Sequence, residues 1–249
     1  MSYDIILRGG TIYDGSGDEP FQGDVAIQAD SIAEIGAAGT LSGKTVIDVT
    51  GLAVAPGFIN MLSWSVESLI LDGHSQSEIR QGVTLEIMGE GESMGPLSEP
   101  MKAEWVGGIL GNRDIKYDIE WSTLGEYLEF LEKRGVSTNI ASFVGLGTLR
   151  IYAVGYDDRE PTPDELDLMK SLVKEAMEEG AMGMSAALIY PPESYARTDE
   201  IIALAKIVGD YDGVYVSHLR SEGSTFYEAL DEFFTIIRES GARGEIYCL

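Results

Sequence analysis

Nitrogen and sulfur side chains able to hold a metal are few in this chain. There are two histidines, His74 and His218, and a single cysteine, Cys248. Imidazole, thiolate and carboxylate are all donors that zinc accepts. The run Gly89-Glu90-Gly91-Glu92-Ser93-Met94-Gly95-Pro96 sets two carboxylates in a glycine-rich turn, which reads either as a donor loop or as a solvated one. His218 lies in Ser217-His218-Leu219-Arg220-Ser221-Glu222-Gly223, where Arg220 offers a planar fork to a carboxylate or a partner for a salt bridge at the rim. Ser185, in Met182-Gly183-Met184-Ser185-Ala186, lacks a Gly-x-Ser-x-Gly frame and has no histidine partner in evidence, so serine-hydrolase chemistry is set aside.

These residues fall between elements whose ends can be argued. Residues 1 to about 55 are short apolar runs broken by Gly and Asp, which predicts strands and hairpins in a separate antiparallel β unit. From residue 56 onward, strand-like runs alternate with helical periods, the pattern of a parallel sheet with crossover helices. The strands are expected at Leu52–Ala55 continuing into Phe58–Leu62, then at Thr84–Met88, Asn139–Val144, Met182–Leu188, Val214–Leu219 and Glu245–Leu249. Helices open at Thr123 with Glu126 as a capping box, at Thr162-Pro163-Asp164-Glu165, at Thr198 and at Phe226, and they stop at Gly135, Gly180 and Gly241. No Gly-x-Gly-x-x-Gly follows the first of these strands, which favours a (β/α)8 barrel over a doubly wound sheet. A whole barrel takes about 250 residues, so the six expected strands make it incomplete. Open sheet edges then call for an oligomer, a partner chain or a missing C-terminal half.

The 249 residues carry 17 basic and 42 acidic side chains, a net charge of −25, with 44% hydrophobic residues. The apolar fraction supports a core, so the charge does not signal disorder. A sequence pI near 4.2 repels phosphate backbones and anionic lipid, which argues against nucleic-acid and membrane-surface partners. The acid excess reads equally well as a solubility adaptation. One cysteine rules out an intramolecular disulfide framework, the N-terminus has no signal-peptide pattern, and no apolar stretch reaches the roughly 18 residues of a membrane span. A cytoplasmic protein is expected.

The chain also resembles the amidohydrolase superfamily in its N-acyl-D-amino-acid deacylase branch. The resemblance rests on Tyr3 to Gly15, Val54-Ala55-Pro56-Gly57-Phe58-Ile59-Asn60, Gln81-Gly82-Val83-Thr84, Gly147-Thr148-Leu149-Arg150, Leu188-Ile189-Tyr190-Pro191-Pro192 and Ser217 to Gly223. It implies a barrel with a small β-sandwich, and zinc at the C-terminal rim of the strands activating water against the amide of an N-acylated substrate. It also shows departures. The family's His-x-His pair stands here as Leu62 and Trp64, its Gly-His position as Leu146, its cysteine ligand as Gly91 flanked by Glu90 and Glu92, and its sixth-strand histidine as Cys248.

His218 matches a ligand position and His74 matches none, so His74 is expected on the surface. The resemblance thus implies metal donors His218, Cys248 and Glu90 or Glu92, and at most one zinc per chain. Cys248 has the alternative of being a small buried apolar residue. Tyr190, Arg220 and Glu222 are the implied substrate contacts, Tyr190 having the alternative of a loop aromatic packed on prolines. The general-base Asp of the family would lie beyond residue 249. The functional expectation is a metal-dependent amidohydrolase cleaving a C–N bond of an N-acyl amino acid. The alternative is a non-catalytic relative that serves as a binding or assembly subunit.

Overall fold

A computed structural model describes residues 2–105 and 117–248. Met1 and Leu249, the outer ends of the first and last predicted segments, lie outside the described residues. The chain divides into two compact units, Met1–Phe58 and Ile59–Leu249.

The first unit is one five-stranded sheet of β1 (Tyr3–Ile12), β2 (Phe21–Gln28), β3 (Ser31–Ala37), β4 (Gly43–Asp48) and β5 (Ala53–Val54), in the order β3-β2-β1-β4 with β5 also on β1. The β1–β2 and β2–β3 pairs are antiparallel, whereas β4 and β5 run parallel to β1. The expected all-antiparallel unit is therefore a mixed sheet. After β3 the chain crosses to the far side of β1 instead of turning back beside β3, and a strand arriving that way runs parallel. Buried Asp24 pins the crossing, accepting the N–H groups of Gly9 (2.9 Å), Gly39 (2.9 Å) and Leu41 (3.4 Å). The predicted strand from Leu52 to Leu62 also splits. Ala53–Val54 stays with β1, and Pro56, which has no N–H to give a ladder, separates it from the next strand.

The second unit alternates strands and helices. Its elements are β6 (Phe58–Asn60), α1 (Ser68–Leu71), α2 (Gln76–Ile79), β7 (Val83–Met88), α3 (Glu99–Trp105), α4 (Leu124–Arg134), β8 (Asn139–Ser142), β9 (Val144–Gly145), α5 (Leu146–Ala153), α6 (Pro163–Glu178), β10 (Gly183–Ala187), α7 (Thr198–Asp210), β11 (Val214–His218), α8 (Phe226–Ser240) and β12 (Arg243–Tyr247). The strands form sheets of order β6-β7-β8 and β12-β11-β10-β9, and no closed barrel is present among the described residues. The β7–β8, β9–β10, β10–β11 and β11–β12 pairs are all parallel. Only Phe143 separates β8 from β9, and its N–H bonds Met88 O at 2.9 Å.

Both predicted capping boxes are present, at Thr123/Glu126 and Thr162/Glu165. The helix expected to open at Thr198 does so, as α7. Arg197 precedes the helix, and the Thr198 hydroxyl donates to Glu232 Oε1 at 2.8 Å. Residues Leu146–Ala153, which show no cap or stripe in sequence, form the helix α5, whose buried face includes Leu146, Leu149 and Ile151. The helices α4, α6 and α7 bury an apolar stripe against the outer faces of the strands, around Tyr127, Leu131, Met169, Val173, Leu204 and Val208, with Tyr215 of β11 facing them. Alternate strand residues point the other way, where Ile87, Phe143, Val216 and Tyr247 make a smaller inner cluster with Leu62 and Leu85 packed on it. Among the described residues, no helix is long and apolar enough to cross a membrane.

Candidate metal centre

Parallel strands end on one side, so the segments that follow β7, β10, β11 and β12 share a rim. Period-two alternation puts Val214, Val216 and His218 on the same face of β11, which carries the inner cluster up to an imidazole at the strand end. Register then pairs His218 with Tyr247, so the next residue, Cys248, stands at that same end. Cys248 is exposed and has φ 56°, a left-handed backbone that turns the chain away from the strand direction. It is not the buried apolar residue that its type alone would suggest.

The third group comes from the turn after β7. Gly89 and Gly91 both have positive φ (94° and 65°), conformations that glycine adopts without a Cβ penalty. Ser185 on β10 accepts the Gly91 N–H at 3.0 Å and donates to Gly89 O, so one hydroxyl bridges both sides of Glu90. The N-terminus of α5 holds the same turn, with Gly147 N–H on Gly91 O at 2.8 Å and Thr148 Oγ1 accepting the Ser93 N–H at 2.7 Å. Glu90, His218 and Cys248 each offer a donor atom, and the three atoms lie within 4.8 Å of one another.

His218 sits between two carboxylates. Its Nδ1 is 3.4 Å from Glu90 Oε1 and its Nε2 is 2.9 Å from Glu222 Oε1. The Nε2 atom is buried and makes no bond of hydrogen-bond geometry. Burial raises the Glu90 carboxyl, against the opposing pull of His218. Desolvation, followed by the charges of Glu90 and Glu222, pushes the Cys248 thiol up. A cation placed among these groups reverses both effects, because it favours carboxylate and thiolate over their neutral forms. Tetrahedral zinc with bonds of about 2.0–2.3 Å sets its donors about 3.3–3.8 Å apart, within reach of the observed spacing by side-chain rotation. The donor set therefore fits a zinc ion.

The other sequence candidates divide. Glu92 does not join the cluster; burial and then the Glu104 charge raise its carboxyl. Tyr190 is exposed and packs edge-on to His218, ring centroids 5.8 Å apart, so it walls the site. Arg220 is not a free fork. Its Nε and Nη2 bond Glu232, and its Nη1 and Nη2 donate to the carbonyls of Ser194 and Ala196. Of the two readings of Arg220, the structure has the salt bridge. Glu222 lies against the imidazole, its Oε1 2.9 Å from Nε2. His74 is exposed and 3.8 Å from Asp72 Oδ1. Leu62 and Trp64 bring no donor, and Leu146 is wholly buried in the core.

Sequence reasoning missed Glu193, in a 3-10 turn over Glu193–Tyr195. It is 4% exposed, and its Oε2 accepts the Ala187 N–H at 2.7 Å. Nothing in its spacing marks it; the only hint is the bare glycine at 91, whose absent side chain leaves room for it. Burial, reinforced by the Glu92 and Glu90 charges, pushes its carboxyl up to about 8 from 4.5. Between those two values the folded chain keeps a proton that the unfolded chain has released, so stability falls as pH rises, at about 1.4 kcal/mol per pH unit from this group. Glu193→Gln is expected to flatten that slope in urea titrations of metal-free protein from about pH 5 to about pH 8. An unchanged slope would contradict the buried neutral acid.

No family model matches the chain. Over 238 residues it is 34% identical to the D-aminoacylase of Alcaligenes xylosoxydans xylosoxydans, covering 95% of this chain and 48% of that enzyme. A solved D-aminoacylase, described as defining a subset of amidohydrolases, superposes with a TM-score of 0.87 at 33% identity, covering 98% of this chain and 51% of the other. The N-acyl-D-glutamate deacylase of Bordetella bronchiseptica, solved with zinc and a phosphonate mimic of the tetrahedral intermediate, gives 0.86 at 27% identity with the same coverage. The chain thus spans about half the length of the curated relatives it matches.

Proposed function

With the chain a member of the amidohydrolase superfamily, in its N-acyl-D-amino-acid deacylase branch, we propose that it is the zinc-holding part of an amidohydrolase that cleaves the C–N bond of an N-acyl amino acid. The observation that carries this reading is the convergence of Glu90, His218 and Cys248 donor atoms within 4.8 Å at a rim of parallel strands. In this reading the parallel βα units belong to a (β/α)8 barrel whose remaining strands, with the general base, come from a further segment or a partner chain.

Glu90, His218 and Cys248 would hold the zinc, which when bound would supply a Lewis acid for the amide carbonyl and an acidified water at neutral pH. The chain's own residues prepare the place. Glu222 faces His218 Nε2, and with the ring proton on that side the Nδ1 lone pair, on the side of Glu90, would be the atom offered to the metal. Tyr190 covers one side of the imidazole and restricts the approach to it. Arg220, locked to Glu232 and to the Ser194 and Ala196 carbonyls, fixes the segment that carries Tyr190. The lack of donors at Leu62 and Trp64 supports one zinc per chain at most.

The test is elemental analysis of purified protein with a panel of N-acetyl-D- and L-amino acids as substrates. One zinc per chain is expected from this chain, with amine release once the segment or partner that carries the general base is present. Two metals per chain would contradict the single site. No metal in a zinc-supplemented preparation would shift the reading to a non-catalytic binding or assembly subunit.

A further inference from the structure

Glu193 is a buried carboxyl group that the proposed reaction leaves unused, and it stands against the turn that carries Glu90. A Cβ placed on Gly91 would fall 2.4 Å from Glu193 Oε1 and 2.9 Å from the Ala187 Cβ, while one on Gly147 would fall 3.1 Å from the same oxygen. The carboxyl of Glu193 therefore occupies the room beside Gly91 in which a side chain of residue 91 would begin. Its other oxygen is tied to the Ala187 N–H at the end of β10. Ala187 O in turn accepts the Tyr190 N–H at 3.0 Å, and Tyr190 O accepts the Ser194 N–H at 2.8 Å. One carboxyl group thus touches the Glu90 turn, the start of α5 and the segment bearing Tyr190.

The geometry points to Glu193 as a positioning residue: its carboxyl group is the surface against which the Gly89–Glu92 turn closes, and through that turn it sets where Glu90 meets the metal. This rests on the metal reading above, but the fit between Gly91 and Glu193 can be measured without metal. Shape is what the contact requires, since a carboxyl and a carboxamide have nearly the same outline. Shortening or removing the group opens a gap beside Gly91. Ser185 and the start of α5 then hold the turn, through backbone atoms that do not fix the Glu90 side chain.

Five variants of the full chain test this: Glu193→Gln, Glu193→Asp, Glu193→Ala, Gly91→Ala, and Glu193→Ala combined with Gly91→Ala. Zinc affinity is read by chelator competition, site geometry by the visible spectrum after cobalt substitution, and folding by melting of metal-free protein. Glu193→Gln is expected to keep zinc affinity within about threefold, while Glu193→Asp and Glu193→Ala lose about 10- to 100-fold, the range for residues that orient a ligand, with an altered cobalt spectrum. Gly91→Ala alone should lower the melting temperature, and the double variant should recover part of that loss because the carboxyl no longer meets the new Cβ. Wild-type zinc affinity and spectrum in a folded Glu193→Ala or Glu193→Asp would overturn the proposal. So would strictly additive melting shifts in the Gly91/Glu193 pair. Absence of zinc from the unaltered chain would defeat the metal reading itself, leaving the melting pair to decide whether Glu193 shapes the turn.

Discussion

His218→Ala is expected to abolish zinc retention, with affinity falling at least about 100-fold, while His74→Ala leaves it unchanged. The two histidines make an internal control. His218 is 12% exposed, between Glu90 and Glu222 and within reach of Cys248, whereas the His74 side chain is 79% exposed beside a lone aspartate. Removing the imidazole leaves one carboxylate and one thiol, too few for a closed coordination shell. Affinity should also fall as the medium is acidified, because imidazole and thiol must both shed their protons to bind. Isothermal titration with zinc at two pH values on wild type and both variants checks each part. Equal occupancy in wild type and His218→Ala would dispose of the site.

Arg150→Met is expected to cost about 3–5 kcal/mol of stability, the range for a buried ion pair broken on one side. Arg150 is fully buried on α5, with Nη1 donating to Glu200 Oε1 and Oε2 at 2.6 and 2.7 Å and Nη2 to Arg159 O at 2.9 Å. Desolvation already raises the Glu200 carboxyl, and Arg150 is the group that opposes it. Without the guanidinium, Glu200 stays protonated in the fold to higher pH than in the unfolded chain. The loss should therefore grow as pH rises above the ordinary glutamate range. Arg150→Met with Glu200→Leu should regain most of the stability, since no buried charge is then left alone. Urea denaturation of the single and double variants at pH 5 and pH 8 decides it; equal losses in both would show that the pair's charge is not the cause.

The parts of the molecule that follow local rules were legible. Capping boxes at Thr123 and Thr162, and glycine stops at Gly135 and Gly241, are written in a few adjacent residues, and they appear where expected. The crossing from β3 to β4 was not legible, because alternation alone says nothing of which neighbour a strand takes. Nor was α5. Its helix follows immediately on β9 without a side-chain cap, and its burial on nearly every side erases the stripe that marks an amphipathic helix. At the candidate site, His218 and Cys248 came from the family resemblance, and Glu90 only as one of a pair with Glu92 that the sequence left open. Glu193 was invisible because glutamate is common in this acidic chain. Its environment comes from Gly91 and Gly147, far away in sequence.

The bridge made by Ser185 has a consequence in time. The hydroxyl that closes the turn lies 94 and 96 positions further along the chain than the atoms it holds. During synthesis at about 5–20 residues per second, roughly 5–20 s separate emergence of the turn from emergence of its clamp. Until then the turn is an open loop, and the entropy of closing so long a loop is met only when β10 docks. His218 follows later still. In the proposed reading, metal capture would therefore be a late event in the life of the nascent chain, since it would wait for β10, β11 and β12 to bring Ser185, His218 and Cys248 to the turn.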